Sequence, residues 1–170
     1  MGVCSLEKAQ NQAFRLLARR SRSEKELRIR LLRNYNRDIT DMVIQKCKDD
    51  GYLNDPAFAL ERARHLALYR LQGNHAIATD LFSKGLDQHT ITKAIQTIRR
   101  ELSESEAIKK LIEKKQKISS LSDWHEKGKM GRYLLSKGFA AELIFEILKQ
   151  KFYGFHREYE EVVAHHDDRK

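Results

Sequence analysis

Apolar residues recur along this chain every three to four positions, with polar residues between them, which is the period of amphipathic helices. Leu6, Ala9, Ala13, Leu16 and Leu17 predict a first helix from about Leu6 to Arg20. Ser21-Arg22 breaks it, and Ser23 caps a second helix. Glu26, three residues on, would complete a capping box. Leu27, Leu31 and Leu32 form the buried stripe of this second helix. Asn34-Tyr35-Asn36 is a break, Asp38 is the expected cap of a third helix, and Ile39, Met42, Val43 and Cys47 are its inner face. Gly51 ends that helix, and Tyr52 and Leu53 are expected to pack across a joint. Asp55 is then read as a cap, with Pro56 in the first turn, where no backbone donor is needed.

The same pattern returns twice. A fourth helix carries Phe58, Ala59, Ala63, Leu66 and Ala67 and stops near Gly73. Asn74 opens a short fifth with Ile77, Leu81 and Phe82, and Asp87 a sixth with Ile91, Ala94, Ile95, Ile98 and Leu102. Ser103 and Glu106 make a capping box for a seventh, with Ala107, Ile108, Leu111 and Ile112 inside. After a looser stretch from Ile118 to Ser122, an eighth starts near Asp123 and carries Trp124, Met130, Leu134 and Leu135. Its Gly128 and Gly131 either permit a close helix approach or mark a frayed start. A ninth runs from Ala140 with Ile144, Phe145, Leu148 and Phe152 inside.

The organising stretch is Leu81-Phe82-Ser83-Lys84-Gly85-Leu86 and its near copy Leu134-Leu135-Ser136-Lys137-Gly138-Phe139. An apolar pair closes a buried face. A lysine in the last turn suits the negative helix end, and glycine adopts the left-handed stop at low cost. The copies lie about 50 residues apart, a spacing typical of helical arrays. The expected fold is all-α: an elongated array of three tandem three-helix repeats over 1–53, 54–102 and 103–153, with a polar tail over 154–170. A single proline and eight glycines in 170 residues argue against a turn-rich β protein.

Charge adds a partner class. The chain carries +9. Residues 1–33 hold nine Lys or Arg against three Glu, and residues 105–137 hold nine against four acids, whereas 38–60 and 154–170 are net acidic. Two basic blocks point to a polyanionic partner touched at two places. The first block supplies Arg15, Arg19, Arg20, Arg22, Lys25 and Arg28 as candidate contacts. The second supplies Lys109, Lys110, Lys114, Lys115, Lys129 and Arg132. The third helices around 41–50 and 88–99 are mixed or acidic, so sequence-specific base readout is not expected; backbone contact is.

Catalytic signatures are missing from the sequence: it has no phosphate loop, CxxC, HExxH or GxSxG. His165-His166-Asp167-Asp168 reads as solvated tail rather than as a metal site. Phe58, Phe82, Phe139 and Phe145 read as core rather than as base-stacking platforms. Cys4 and Cys47 form no framework, which suggests a reducing, cytoplasmic setting. No apolar run approaches the roughly 18 residues of a membrane span. No enzyme activity and no cofactor are expected.

These residues resemble the RecX family, the regulatory proteins of the RecA recombinase, over about residues 6–152. The resemblance rests on Ala13 to Arg20 followed by Ser23 to Leu27, the joint Gly51-Tyr52-Leu53-Asn54-Asp55 with Phe58-Ala59, and the two Ser-Lys-Gly stretches with Arg132-Tyr133 before the second. The first repeat departs from the pattern at Asn34-Tyr35-Asn36. The resemblance implies a non-enzymatic monomer that binds RecA and its filament on single-stranded DNA. There it would limit filament growth, ATP hydrolysis, strand exchange and co-protease activity. The alternative is a sequence-independent DNA-binding module that acts without RecA.

Overall fold

The computed structural model describes residues 2–116 and 124–150, with the side chains of 2–4, 116 and 124–127 left aside. The Ile118–Ser122 stretch, the Trp124 side chain, Phe152 and the 154–170 tail therefore lie outside the described residues. Every regular element among the described residues is helical: α1 (Gly2–Arg19), α2 (Glu24–Leu31), α3 (Arg37–Asp49), α4 (Asp55–Arg64), α5 (Asn74–Ser83), α6 (Gln88–Arg99), α7 (Glu104–Gln116) and α8 (Trp124–Ser136), then α9 over 141–150. A π-helical turn, His65–Tyr69, extends α4.

The described residues form two compact units, one of 2–66 with 77–101 and the other of 67–76 with 102–116 and 124–150. In the first unit, Ala9 and Ala13 of α1 meet Leu27 and Leu31 of α2 and Val43, Ile44 and Cys47 of α3, each at most 2% exposed. Small residues on α1 let the larger side chains of α2 and α3 interdigitate against it. Leu53 joins this core and Tyr52 sets its ring edge against Phe14 at 5.3 Å, so both residues serve the first repeat instead of a joint. In the second unit, Ala107, Ile108, Leu111 and Ile112 of α7 pack with Met130, Leu134, Phe139, Ile144 and Ile147.

Several cap assignments shift by one or two residues. Asn36, not Asp38, caps α3 by accepting from the Ile39 N–H at 3.0 Å. Asn54, not Asp55, caps α4 by accepting from Ala57. Asp55 is thereby released to accept the Glu24 N–H at 2.8 Å. Ser23 does cap α2, but the Glu26 carboxylate turns to Arg20 and Lys84. The Ser103–Glu106 box closes both ways, at 3.2 and 2.8 Å. Gly73 is not the stop of the fourth helix: Leu71 takes the left-handed position, at φ 49°, and packs against the second unit's core.

Some expected core residues face outward. Phe82 is 70% exposed, Phe145 68%, Met42 56%, Leu135 50% and Leu32 44%. The reason is angular: consecutive helical residues point about 100° apart, so of Leu31-Leu32, Leu81-Phe82 and Leu134-Leu135 only the first of each pair stays on the stripe. Met42 lies beside, not on, the Thr40–Val43–Ile44–Cys47 stripe. Phe58 and Phe139 are core as expected. A Cβ on Gly128 or Gly131 would meet nothing within 4 Å, so neither glycine admits a close helix approach.

Candidate interaction surface

The Ser-Lys-Gly turns of both units close in the same way. Gly85 and Gly138 sit at φ 86° and 84°. The Gly85 N–H donates to Phe82 O and Leu86 N–H to Leu81 O; Gly138 donates to Leu135 O and Phe139 to Leu134 O. This pair of hydrogen bonds is the Schellman stop; in the second copy Phe139 and Leu134 also share one apolar core. Leu86 and Phe139 are 4% and 3% exposed. The first repeat closes differently, with Asn34 and Tyr35 both donating to Leu31 O and no left-handed residue.

Each of these turns receives the start of another repeat's second helix. In the first unit the Ser23 hydroxyl donates to Lys84 O at 2.7 Å and the Lys25 ammonium to Ser83 O at 3.1 Å. In the second, Gly73 N–H donates to Lys137 O and His75 N–H to Gly138 O, at 2.9 and 3.1 Å. An acid at the start of the neighbouring first helix completes both joints. Asp55 takes the Glu24 N–H, and Glu104 takes the Asn74 N–H and side-chain amide at 2.8 and 2.7 Å. The recurring turn is thus a docking seat, which its sequence did not reveal. The signal that could have shown it is the repeated spacing between Glu24 and Asp55 and between Asn74 and Glu104.

The expected cationic contacts divide accordingly. Arg20 is paired with Glu26 at 3.1 Å, and Arg28 with Glu24 and Asp41. Lys25 lies along Gly85. Arg22 donates to Leu16 O at 3.3 Å, and burial, with Arg20 close by, pulls its guanidinium below the usual value. These four are engaged within the first unit. Arg15 and Arg19 are exposed on α1. In the second unit Lys109, Lys110 and Lys114 line the outer side of α7, and Arg132 and Lys129 are exposed on α8. Lys115 places its ammonium 4.1 Å from the Tyr133 ring centre, a cation–π contact.

Two shallow depressions lie in the first unit. One, of about 360 Å³, is lined by Arg20, Glu26, Phe58, Glu61, Arg62 and Lys84, among others. The other, of about 390 Å³, lies between α4 and α6. Among the described residues no three His, Cys, Asp or Glu side chains gather where a metal could sit, and no helix is long and apolar enough to cross a membrane.

The first three-helix domain of RecX matches residues 9–47, and the third three-helix domain matches residues 103–148. The regulatory protein RecX of Syntrophotalea carbinolica is 30% identical over 146 residues, covering 84% of this chain and 95% of that protein. This chain belongs to the RecX family. The RecX of Caldanaerobacter subterraneus subsp. tengcongensis is 29% identical over 143 residues, covering 84% of this chain and 70% of that one. The crystal structure of RecX from Lactobacillus salivarius superposes with a TM-score of 0.76 at 25% identity, covering 86% of this chain and 96% of that chain. A second RecX crystal structure, at 21% identity and TM-score 0.73, shares the fold. Tandem three-helix repeats are therefore the architecture of the RecX family and of this member.

Proposed function

We propose that this RecX family member regulates the RecA recombinase: it binds RecA and the RecA filament on single-stranded DNA as a monomer, in the cytoplasm. There it restrains filament growth, ATP hydrolysis, strand exchange and co-protease activity, and so tempers recombination, repair and the SOS response. The single observation that carries this is membership of the family, through matches to its first and third domains and to relatives named regulatory protein RecX. Three repeats over 1–53, 54–102 and 103–153, each offering its own surface, suit a partner built of repeated protomers. The test is RecA's ATPase on single-stranded DNA with the chain added below stoichiometry. Inhibition is expected; none at any ratio, with the chain folded, would sink the reading.

The exposed cations of α7 favour a second reading, sequence-independent DNA binding without RecA. Its mark is tight binding to DNA alone that falls steeply with salt. Reversing Arg15 and Arg19, or Lys109, Lys110 and Lys114, to glutamate tests which block meets the partner. Arg20 and Arg28 are unsuitable for this, because reversing Arg20 sets it against Glu26 and reversing Arg28 sets it against Glu24 and Asp41.

A further inference from the structure

The groove between α4 and α6 differs from the cleft beside it in how its charge is balanced. In the cleft every lysine or arginine already has a carboxylate: Arg20 and Lys84 share Glu26 at 3.1 and 2.8 Å, and Arg62 forks onto Asp80 at 2.9 Å. The groove has an apolar floor of Ala57, Leu60 and Ala94, and its rim carries His89 and Lys93. None of its lining residues is acidic. Of the acids beside it in sequence, Asp55 accepts the Glu24 N–H at 2.8 Å, Glu61 lines the other cleft, and Asp87 is engaged as the α6 cap, accepting the Thr90 N–H at 2.9 Å and the Thr90 hydroxyl at 2.7 Å. The exposed Lys93 ammonium has no acidic partner among the described residues. The polar side chain at the groove's end, Asn54, is likewise satisfied by Ala57 N–H.

We infer that this groove binds a short segment of a protein partner that combines a small or branched apolar side chain with a carboxylate. The apolar side chain covers Leu60 between Ala57 and Ala94, and the carboxylate pairs with Lys93. Its volume of about 390 Å³ holds one or two side chains, not a folded domain. Groove-bound apolar anchors beside one charged rim contact are a common mode of peptide recognition. The chemistry of this occupant does not depend on RecA being the partner.

The test is panning a phage-displayed library of random dodecapeptides against the full chain, then measuring the enriched peptides by fluorescence polarisation. Enriched peptides are expected to carry Asp or Glu near Leu, Val or Ala. Lys93→Glu is expected to weaken them by about tenfold, the more so at low salt. Ala57→Trp, at an exposed position, is expected to fill the groove and abolish binding. Circular dichroism checks that both variants fold, and Lys93→Glu alone decides the matter if Ala57→Trp does not. The inference is overturned if no peptide enriches, if enriched peptides are basic or uncharged, or if they bind both variants as tightly as the parent chain. It is also overturned if Lys93→Glu weakens binding to duplex DNA while leaving the peptides unaffected, since the lysine then serves nucleic acid.

Discussion

The two joints of this chain are built to one plan from different materials. In the first unit, side chains make the contact: the Ser23 hydroxyl and the Lys25 ammonium reach the carbonyls of the Ser83-Lys84 turn, and Lys84 answers with an ion pair to Glu26. In the second unit, backbone meets backbone, as Gly73 and His75 donate directly to Lys137 and Gly138. The glycines show how close each approach is. A Cβ on Gly85 would come within 2.6 Å of Lys25 Cδ, which can swing aside, and within 2.7 Å of Lys25 Cβ, which moves only with the α2 backbone. A Cβ on Gly73 would come within 2.3 Å of Gly138 O, and one on Gly138 within 2.4 Å of Ala76 N, where nothing can yield. One joint is made by side chains and depends on charge; the other is made by backbone and depends on the absence of a side chain.

The largest expected effect is a control on this contrast. Leu81 and Leu134 are both fully buried at equivalent places. Leu81→Ala and Leu134→Ala should each cost about 2–5 kcal/mol in a urea melt. A melting temperature unmoved by Leu134→Ala would contradict the second unit's core. Next come the glycines. Gly138→Ala combines a positive φ with a backbone collision and should cost about 2–4 kcal/mol. Gly85→Ala combines the same strain with the Lys25 side chain, whose Cδ yields but whose Cβ does not, and about 1–3 kcal/mol is expected. Equal losses in the two variants would show that the joints do not differ in rigidity.

Charge gives the third contrast. Glu26→Gln removes the acid shared by Arg20 and Lys84 and should cost about 1–2 kcal/mol, less in high salt. Burial pushes the Glu26 carboxyl up, but bonds from Arg20 and Lys84 outweigh it and hold it below the ordinary glutamate value. Burial likewise opposes, and Lys48 and Arg28 outweigh, at Glu24. A carboxylate depressed in the fold contributes stability above its unfolded value, about 4.3, and loses it as pH falls through the lower folded value. Asp55 runs the other way: burial raises it despite the Glu24 N–H, so its protonation on acidification favours the folded state. The first unit should therefore lose stability below about pH 4, partly offset by Asp55. Glu26→Gln should flatten that decline in an acid titration followed by circular dichroism.

The smallest effect is a gain. Thr40 is fully buried with an unpartnered hydroxyl, whereas the matching positions of the other repeats are Ile91 and Ile144. Thr40→Val should stabilise the first unit by about 1 kcal/mol. A loss on thermal melting would mean that the hydroxyl has a partner in solution.

Helix positions and inner stripes were legible because each helix carries its own period: Leu27 and Leu31, Ala107 to Ile112, and Leu134 announce their burial without reference to the rest of the chain. The glycine stops at Gly85 and Gly138 were legible for the same local reason. The cationic surface was only half legible. Arg15 and Lys109 stand exposed as expected, but Arg20 and Arg28 are drawn into ion pairs with acids that a count of net charge treats as mere subtraction. Asp38 and Asp55 read as caps by residue type, but Asn36 and Asn54, one or two residues earlier, compete for the same orphan N–H groups and take them.

The sequence by itself determined the helices, their stops and the threefold repetition, since these follow from propensity, period and capping within about a dozen residues. Only the tertiary structure decided what the Ser-Lys-Gly turn is for. Its carbonyls face outward from a finished helix, and whether they meet water, a hydroxyl or another backbone depends on residues about sixty positions away. The same holds for the groove of α4 and α6, whose floor and lone cation come from helices that no local pattern places side by side.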